Sequence, residues 1–150
     1  MLLPEPADMY TLLVRTDYSD DSAWQAAVNA ATAVYDVGDF ERLGASMQLV
    51  EAPELDGLTP PDLVLLPRDG YLSQLAVADA RTMRDQTILF VDLNAYNEQV
   101  GRTFRAVPQE VEPITANLAI ANMDFFEFAD SADPDGVFRG FKVQRAEPGL

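Results

Sequence analysis

The first part of the chain changes from a strand pattern to a helix pattern. Residues 12–14 (LLV) form a short apolar run, which is typical of a buried strand. Apolar residues then recur with helical spacing from Trp24 to Tyr35, and the preceding Ser19 or Asp20 can cap the first turn. The pattern therefore predicts a strand that leads into a helix.

A half-buried strand and a short helix are predicted next, after a glycine-containing loop. In residues 47–50 (MQLV), Met47 and Leu49 can face inward while the polar residue between them stays in water. Thr59 can then cap a short helix that has prolines in its first turn and ends at Pro67.

Two apolar runs in the middle of the chain predict interior strands. Residues 75–78 (LAVA) end at Asp79, and residues 88–91 (ILFV) end at Asp92. The polar segment 81–86 between them leaves little room for a full crossover helix. The two strands are therefore either antiparallel neighbours or joined by a tight irregular link.

The last part of the chain predicts a strand near a sheet edge and two helices. Residues 103–107 (TFRAV) alternate in polarity, as such a strand does. A helical pattern begins at Pro113, and Asn122 can cap a second helix that is apolar on more than one face. We expect this second helix to be buried in the core, with contact to another copy of the chain as the alternative. Its apolar residues are Met123, Phe125, Phe126 and Phe128.

Together these elements predict an α/β (or α+β) fold, with a mixed sheet of about five strands and helices on both faces. The 150 residues match the usual size of one domain, so we expect a single domain over residues 1–150. No signal peptide and no apolar stretch long enough to cross a bilayer is present in the sequence. We therefore expect a cytoplasmic protein without membrane contact.

Composition narrows the chemistry that this fold can carry out. The chain contains no histidine and no cysteine, which removes the commonest acid–base catalyst, thiolate nucleophiles and the usual zinc ligands. Acidic residues outnumber basic ones by 25 to 10, and the net charge of −15 repels nucleic acids and anionic membranes. We expect no cofactor and no direct binding to nucleic acid.

Three aspartates follow apolar runs and are candidate ligands for a hard cation. Asp17, Asp79 and Asp92 would share one edge of a parallel sheet, where open α/β folds usually bind ligands. Carboxylates at such an edge can hold Mg²⁺, which prefers oxygen ligands. The simpler interpretation, which we favour, is that each aspartate caps a turn or a helix.

Three arginines near aromatic residues are candidate contacts for an anion or a partner. Arg102, Arg105 and Arg139 present planar donor groups that can bind a carboxylate or phosphate, and Asn122 can line the same pocket. The favoured interpretation is that the arginines neutralise nearby acidic residues and that Asn122 caps a helix.

Five stretches of the sequence occur together in a known order: residues 12–24 (LLVRTDYSDDSAW), 88–93 (ILFVDL), 101–108 (GRTFRAVP), 117–130 (NLAIANMDFFEFAD) and 136–141 (GVFRGF). With them the chain resembles an uncharacterised family of small acidic bacterial proteins, known only as a domain of unknown function. The resemblance is weakest over residues 37–80. It implies a free-standing protein of about this size and implies no activity.

Two classes of function remain open. The first is a non-enzymatic binding protein, such as an accessory, inhibitor or immunity-type partner that docks on a basic protein surface, since complementary charge speeds and selects association. A narrower form of it is mimicry of DNA by surface carboxylates. The alternative is a small enzyme or ligand-binding domain that uses strand-end carboxylates and arginine, with Mg²⁺ as the candidate ion. A homo-oligomer is compatible with either class.

Overall fold

The structure of the protein is a computed structural model that describes residues 1–38, 40–96 and 98–142. Its main sheet has six strands, which in chain order are β1 (Thr11–Arg15), β4 (Met47–Val50), β5 (Gln74–Ala78), β6 (Ile88–Asp92), β7 (Thr103–Ala106) and β8 (Val137–Phe138). The spatial order is β4-β1-β5-β6-β7-β8. A separate antiparallel hairpin contains β2 (Tyr35–Val37) and β3 (Phe40–Arg42).

One strand of the main sheet runs against all the others. The strand β1 is parallel to both β4 and β5, and β8 is parallel to β7. The strand β6 is antiparallel to its neighbours β5 and β7. All strands except β6 therefore end at the same edge of the sheet, which we call the strand-end edge, and β6 ends at the opposite edge.

Among the described residues, five helices flank the sheet: α1 (Asp21–Thr32), α2 (Pro60–Val64), α3 (Ala80–Asp85), α4 (Val111–Ala119) and α5 (Phe125–Asp130). Two short 3₁₀ turns, Pro53–Leu55 and Pro108–Glu110, lie in the connections. In the part of the chain that the structure describes, no helix combines the length and apolarity needed to cross a membrane.

Two hydrophobic cores lie on the two faces of the sheet. On the first face, Phe90 and Phe104 pack with Trp24 of α1, Ile114 of α4 and Phe128 of α5. The second core is covered by α2 and by the N-terminal segment, and its buried residues include Leu3, Leu12, Leu63 and Leu75. This arrangement arises because successive strand residues point to opposite faces, so continuous apolar runs require cover on both.

The predicted mixed α/β sheet with helices on both faces is confirmed, with six strands rather than five. The additional strand is the two-residue β8, which is too short to produce an alternating pattern. The strands β5 and β6 are antiparallel neighbours, one of the two predicted alternatives, and the segment between them contains the short helix α3. A single domain over residues 1–150 stays a prediction, and residues 39, 97 and 143–150 lie outside the described part.

Two local predictions were wrong. The first helix ends at Thr32 rather than Tyr35, because Tyr35 pairs with Arg42 in the hairpin and its hydroxyl donates to the Ala30 carbonyl at 2.7 Å. Leu49 was expected to face inward but is 45% exposed, since β4 is a terminal strand of the sheet.

Candidate functional site

The three candidate aspartates do not share one edge of the sheet. Asp17 and Asp79 follow β1 and β5 at the strand-end edge. Asp92 is the last residue of β6 and pairs in register with Gln74, the first residue of β5. The expected grouping of three carboxylates is therefore corrected, because the reversed direction of β6 carries Asp92 to the opposite edge.

Asp79 forms a two-point ion pair with Arg105. The Arg105 guanidinium donates to both carboxylate oxygens, with Nη1 at 3.0 Å from Oδ1. Asp79 also caps α3 by accepting from the Thr82 amide at 3.1 Å. Burial alone would raise the pKa of Asp79, but Arg105 and then Thr82 hold it below its ordinary value. This pair joins β7 to the end of β5 across the intervening strand.

Asp17 is held by the turn that leads into α1. Its carboxylate accepts from the Ser19 hydroxyl and, at 3.0 Å, from the Ser19 amide. These hydrogen bonds lower the pKa of Asp17. Asp20 then caps α1 by accepting from the Ala23 amide at 2.9 Å. Among the described residues, no three His, Cys, Asp or Glu side chains are grouped so that they could hold a metal ion.

A buried arginine that the sequence interpretation did not single out lies at the same edge. Arg15, the last residue of β1, is 3% exposed. Its guanidinium donates to the Asp21 carboxylate at 2.8 Å, the Glu51 carboxylate at 3.0 Å and the Asp17 carbonyl at 2.7 Å. It also lies 4.4 Å from the centre of the Tyr18 ring, within cation–π range. The sequence feature that could have identified Arg15 is its place as a charged residue directly after the apolar run 12–14.

The crevice beside Arg15 lies where open α/β sheets commonly bind ligands. The chain leaves β1 toward the first face and leaves β4 toward the second, so the two connections diverge. The crevice has a volume of about 360 Å³ and includes Tyr18 and Glu51 in its lining. The Tyr18 hydroxyl donates to the Ala52 carbonyl and accepts from the Ala52 amide, at 2.9 and 2.8 Å. These polar groups hold the two connections together.

The candidate arginines contact carboxylates of the chain itself. Arg102 pairs with Asp130, and Arg139 pairs with Asp133 and Asp135 at 2.8 and 2.7 Å. The hydrogen bond from Arg139 lowers the pKa of Asp135 to about 2. The structure thus gives Arg102, Arg105 and Arg139 separate carboxylate partners and does not bring them together around one pocket.

Asn122 does not cap α5, contrary to the expectation. Its amide donates to the Asn117 carbonyl at 3.0 Å and its side chain donates to the Asn117 Oδ1 at 2.8 Å, which closes the turn after α4. Asp124 occupies the capping position of α5, and its amide donates to the Glu127 carboxylate at 2.8 Å. The difference arises because Ala121 adopts a left-handed conformation, with φ of 53°, and delays the next helix.

A cavity lies at the opposite edge of the sheet, and we call it the acidic cavity. Its volume is about 480 Å³, and it is enclosed by the N-terminal segment 5–10, the β6 end and the turn between α4 and α5. Four carboxylates line it, and its lining includes no arginine or lysine among the described residues. These carboxylates belong to Glu5, Asp8, Asp92 and Asp124.

A row of buried polar side chains lies at the inner wall of the acidic cavity. Gln74 and Asp92 pair in register, and the β1–β5 register places Thr11 beside Gln74. By strand alternation all three point to the first face, as Leu13 and Ala76 do. Thr11, Gln74 and Asp92 are only 3%, 9% and 1% exposed.

Comparison with known proteins supplies a family but no activity. No curated protein and no solved structure matches the chain. A family model described as a domain of unknown function (DUF6924) matches residues 10–141, which span the whole sheet, the strand-end edge and most of the acidic cavity. The resemblance to a domain of unknown function is therefore confirmed, and the chain belongs to the DUF6924 family.

Proposed function

We propose that the protein is a non-enzymatic binding protein, an accessory, inhibitor or immunity-type partner that docks on a basic surface of another protein. The observation that carries the proposal is a surplus of carboxylates that the chain does not neutralise. The net charge is −15, and most of the described basic side chains are already bound to carboxylates within the chain. Six basic residues make these ion pairs: Arg15, Arg81, Arg102, Arg105, Arg139 and Lys142.

The acids that remain are on the surface, where a partner can reach them. Glu5, Asp8, Asp36, Glu54 and Asp69 are all exposed. Each exposed carboxylate is hydrated in the free protein, so it contributes mainly to the rate and selectivity of association rather than to the stability of the fold. A positively charged partner surface would supply the counter-charge that the chain lacks.

The experiment is a pull-down from host lysate at low salt with the tagged protein, followed by elution with salt and mass spectrometry. The partner is then purified and its dissociation constant is measured over a range of salt concentrations. We expect one dominant protein partner whose binding weakens as salt rises, because screening shortens the reach of surface charge. The absence of a partner that salt elutes, or an affinity that does not depend on salt, would contradict the proposal.

A polyanion control separates docking from simple ion exchange. Polyglutamate of matched charge is offered to the purified partner under the same conditions. Specific docking predicts that the folded protein binds much more tightly than polyglutamate, since shape as well as charge is recognised. Release of the partner by duplex DNA would identify its docking surface as a DNA-binding one, the narrower form of the proposal.

The alternative, a small enzyme or ligand-binding domain at the strand ends, has weaker support from the geometry. Asp79 and Arg105 bind each other, and Asp92 lies at the other edge. A thermal-shift screen with divalent cations and common metabolites tests this alternative. Stabilisation by one of them that is lost in Asp17→Asn or Asp79→Asn would favour it over the binding protein.

A further inference from the structure

Thr11, Gln74 and Asp92 form a row of buried polar side chains at the end of the hydrophobic core. An apolar side chain at any of these positions would need no hydrogen-bond partner. Leu13, Ala76 and Phe90 occupy the next positions on the same face of the same three strands, and all are buried. A buried polar side chain is unfavourable unless it is hydrogen-bonded. Gln74 accepts from the Ser73 hydroxyl and Asp92 accepts from the Asn94 amide, so the chain itself supplies hydrogen bonds to these two. The row nevertheless places polar side chains at the inner wall of a cavity, which is the arrangement of a site for a polar ligand.

The hydroxyl of Thr11 supplies a second, independent observation. Its oxygen is buried and has no hydrogen-bond partner among the described residues. Leaving such a group unsatisfied costs about 1–3 kcal/mol. Valine has nearly the same shape as threonine and would bury no unsatisfied hydroxyl at this position. The presence of the hydroxyl is therefore best explained if a group that enters the cavity forms a hydrogen bond with it.

The charge and the aromatic rim of the acidic cavity define what that group is. All four charged residues in its described lining are acidic, which favours a cation. Tyr10 and Tyr71 line the cavity and are 46% and 57% exposed, and Tyr96 packs on Tyr71 with ring centres 6.3 Å apart. Exposed tyrosine rings beside carboxylates favour a planar cation that can stack and donate several hydrogen bonds.

We infer that the acidic cavity receives an arginine side chain of the protein partner, with the guanidinium against Asp92 and the Thr11 hydroxyl. This inference rests on the proposed function and gives it a specific contact. An arginine fits better than a lysine because its donors are spread over a rigid plane, which matches acceptors on more than one wall. Thr11, Asp92 and Tyr71 all line the acidic cavity, so an arginine that enters it can meet both the polar row and the tyrosine ring.

The test uses capped peptides Gly-Gly-X-Gly-Gly with arginine, citrulline or lysine at X, together with free spermidine. Binding is followed by two-dimensional NMR of the labelled protein. Citrulline is a neutral analogue of arginine, so we expect it to bind at least about tenfold more weakly, the loss of one charge-assisted contact. Equal binding of the arginine and citrulline peptides would overturn the inference, and tighter binding of spermidine would assign the cavity to a free amine instead.

Thr11→Val is the sharpest variant because binding and folding respond in opposite directions. We expect the melting temperature to stay the same or rise, while the arginine peptide binds at least about threefold more weakly, the effect of one lost hydrogen bond. Unchanged peptide binding in this variant overturns the inference. Asp92→Asn should weaken binding further, and if it fails to fold, Thr11→Val still decides the question.

A matched pair of charge variants separates the cavity from general electrostatics. Glu5→Gln/Asp8→Asn and Asp36→Asn/Glu54→Gln each remove two exposed carboxylates, but only the first pair lines the cavity. We expect peptide binding to weaken in the first double variant only, and equal weakening in both overturns the inference. If Thr11→Val binds the whole partner as wild type does, the inference fails while the proposed function stands.

Discussion

The ion pair between Asp79 and Arg105 links two strands that are not neighbours, and its strength can be worked out from its burial. The two side chains are 25% and 14% exposed. Exposed pairs contribute about 0.2–1 kcal/mol, whereas removing one partner of a fully buried pair costs about 3–5 kcal/mol. Because this pair has two-point geometry and partial solvent contact, we expect a coupling free energy of about 2 kcal/mol.

A double-mutant cycle measures this coupling. Asp79→Asn keeps a helix-capping residue, and Arg105→Met keeps the apolar stem, so each change removes little besides the pair. Urea unfolding is followed by the fluorescence of Trp24, the single tryptophan, which is 5% exposed. In a chain of this size, each single variant should lower the melting temperature by about 2–4 °C per kcal/mol. A coupling below about 0.5 kcal/mol would refute the reasoning.

The pH dependence gives a second measure of the same pair. The pKa of Asp79 in the folded protein lies below its ordinary value of 3.8. A depressed pKa stabilises the fold above the unfolded-state pKa, and this contribution is lost as the pH falls through the folded-state pKa. The stability difference between wild type and Asp79→Asn should therefore be full near neutral pH and shrink below about pH 3.8. A difference that is constant down to the acid limit would contradict the assignment.

Three further predictions concern local features. Asp20→Ala should destabilise the protein by about 1 kcal/mol while Asp20→Asn should not, as measured by urea unfolding, because both aspartate and asparagine cap helices. Phe104→Ala should cost about 3–5 kcal/mol and Phe126→Ala less than about 1 kcal/mol, since the first ring is buried and the second is 43% exposed. In a carboxyl NMR titration, Asp135 should have a pKa of about 2 that rises toward 3.8 in Arg139→Gln; no rise would show that Arg139 is not its cause.

Much of the fold could be predicted because its strands are covered on both faces. The segments around Leu13, Val77 and Phe90 are apolar without interruption, and this is the pattern of an interior strand. The same pattern does not reveal whether a strand runs parallel or antiparallel to its neighbour. Whether β6 ran with or against β5 depended on how the connection 79–87 folded, and the location of Asp92 followed from that.

The site was less accessible to prediction because its contacts join distant parts of the chain. Arg105 pairs with Asp79 and Arg102 with Asp130, each more than twenty residues apart, so the sequence named the arginines without naming their partners. The acidic cavity combines the N-terminal segment, two strand ends and a turn between helices. Only the register between β1, β5 and β6 shows that Thr11 stands in line with Asp92.

The mixed direction of the sheet also bears on how the chain reaches its native state. Val77 and Leu89, which pair between β5 and β6, are separated by a short connection. Leu13 and Ala76, which pair between β1 and β5, are separated by most of the first half of the chain. Closing the longer loop costs more conformational entropy, and parallel pairs form late for that reason. The antiparallel meander of β5, β6 and β7 is thus the part that can assemble locally, and pulse-labelled hydrogen exchange should detect its protection before that of β1. We therefore expect the N-terminal strand to dock after this meander, and because it carries both Arg15 and Thr11, its docking would bring residues to the strand-end edge and to the acidic cavity together.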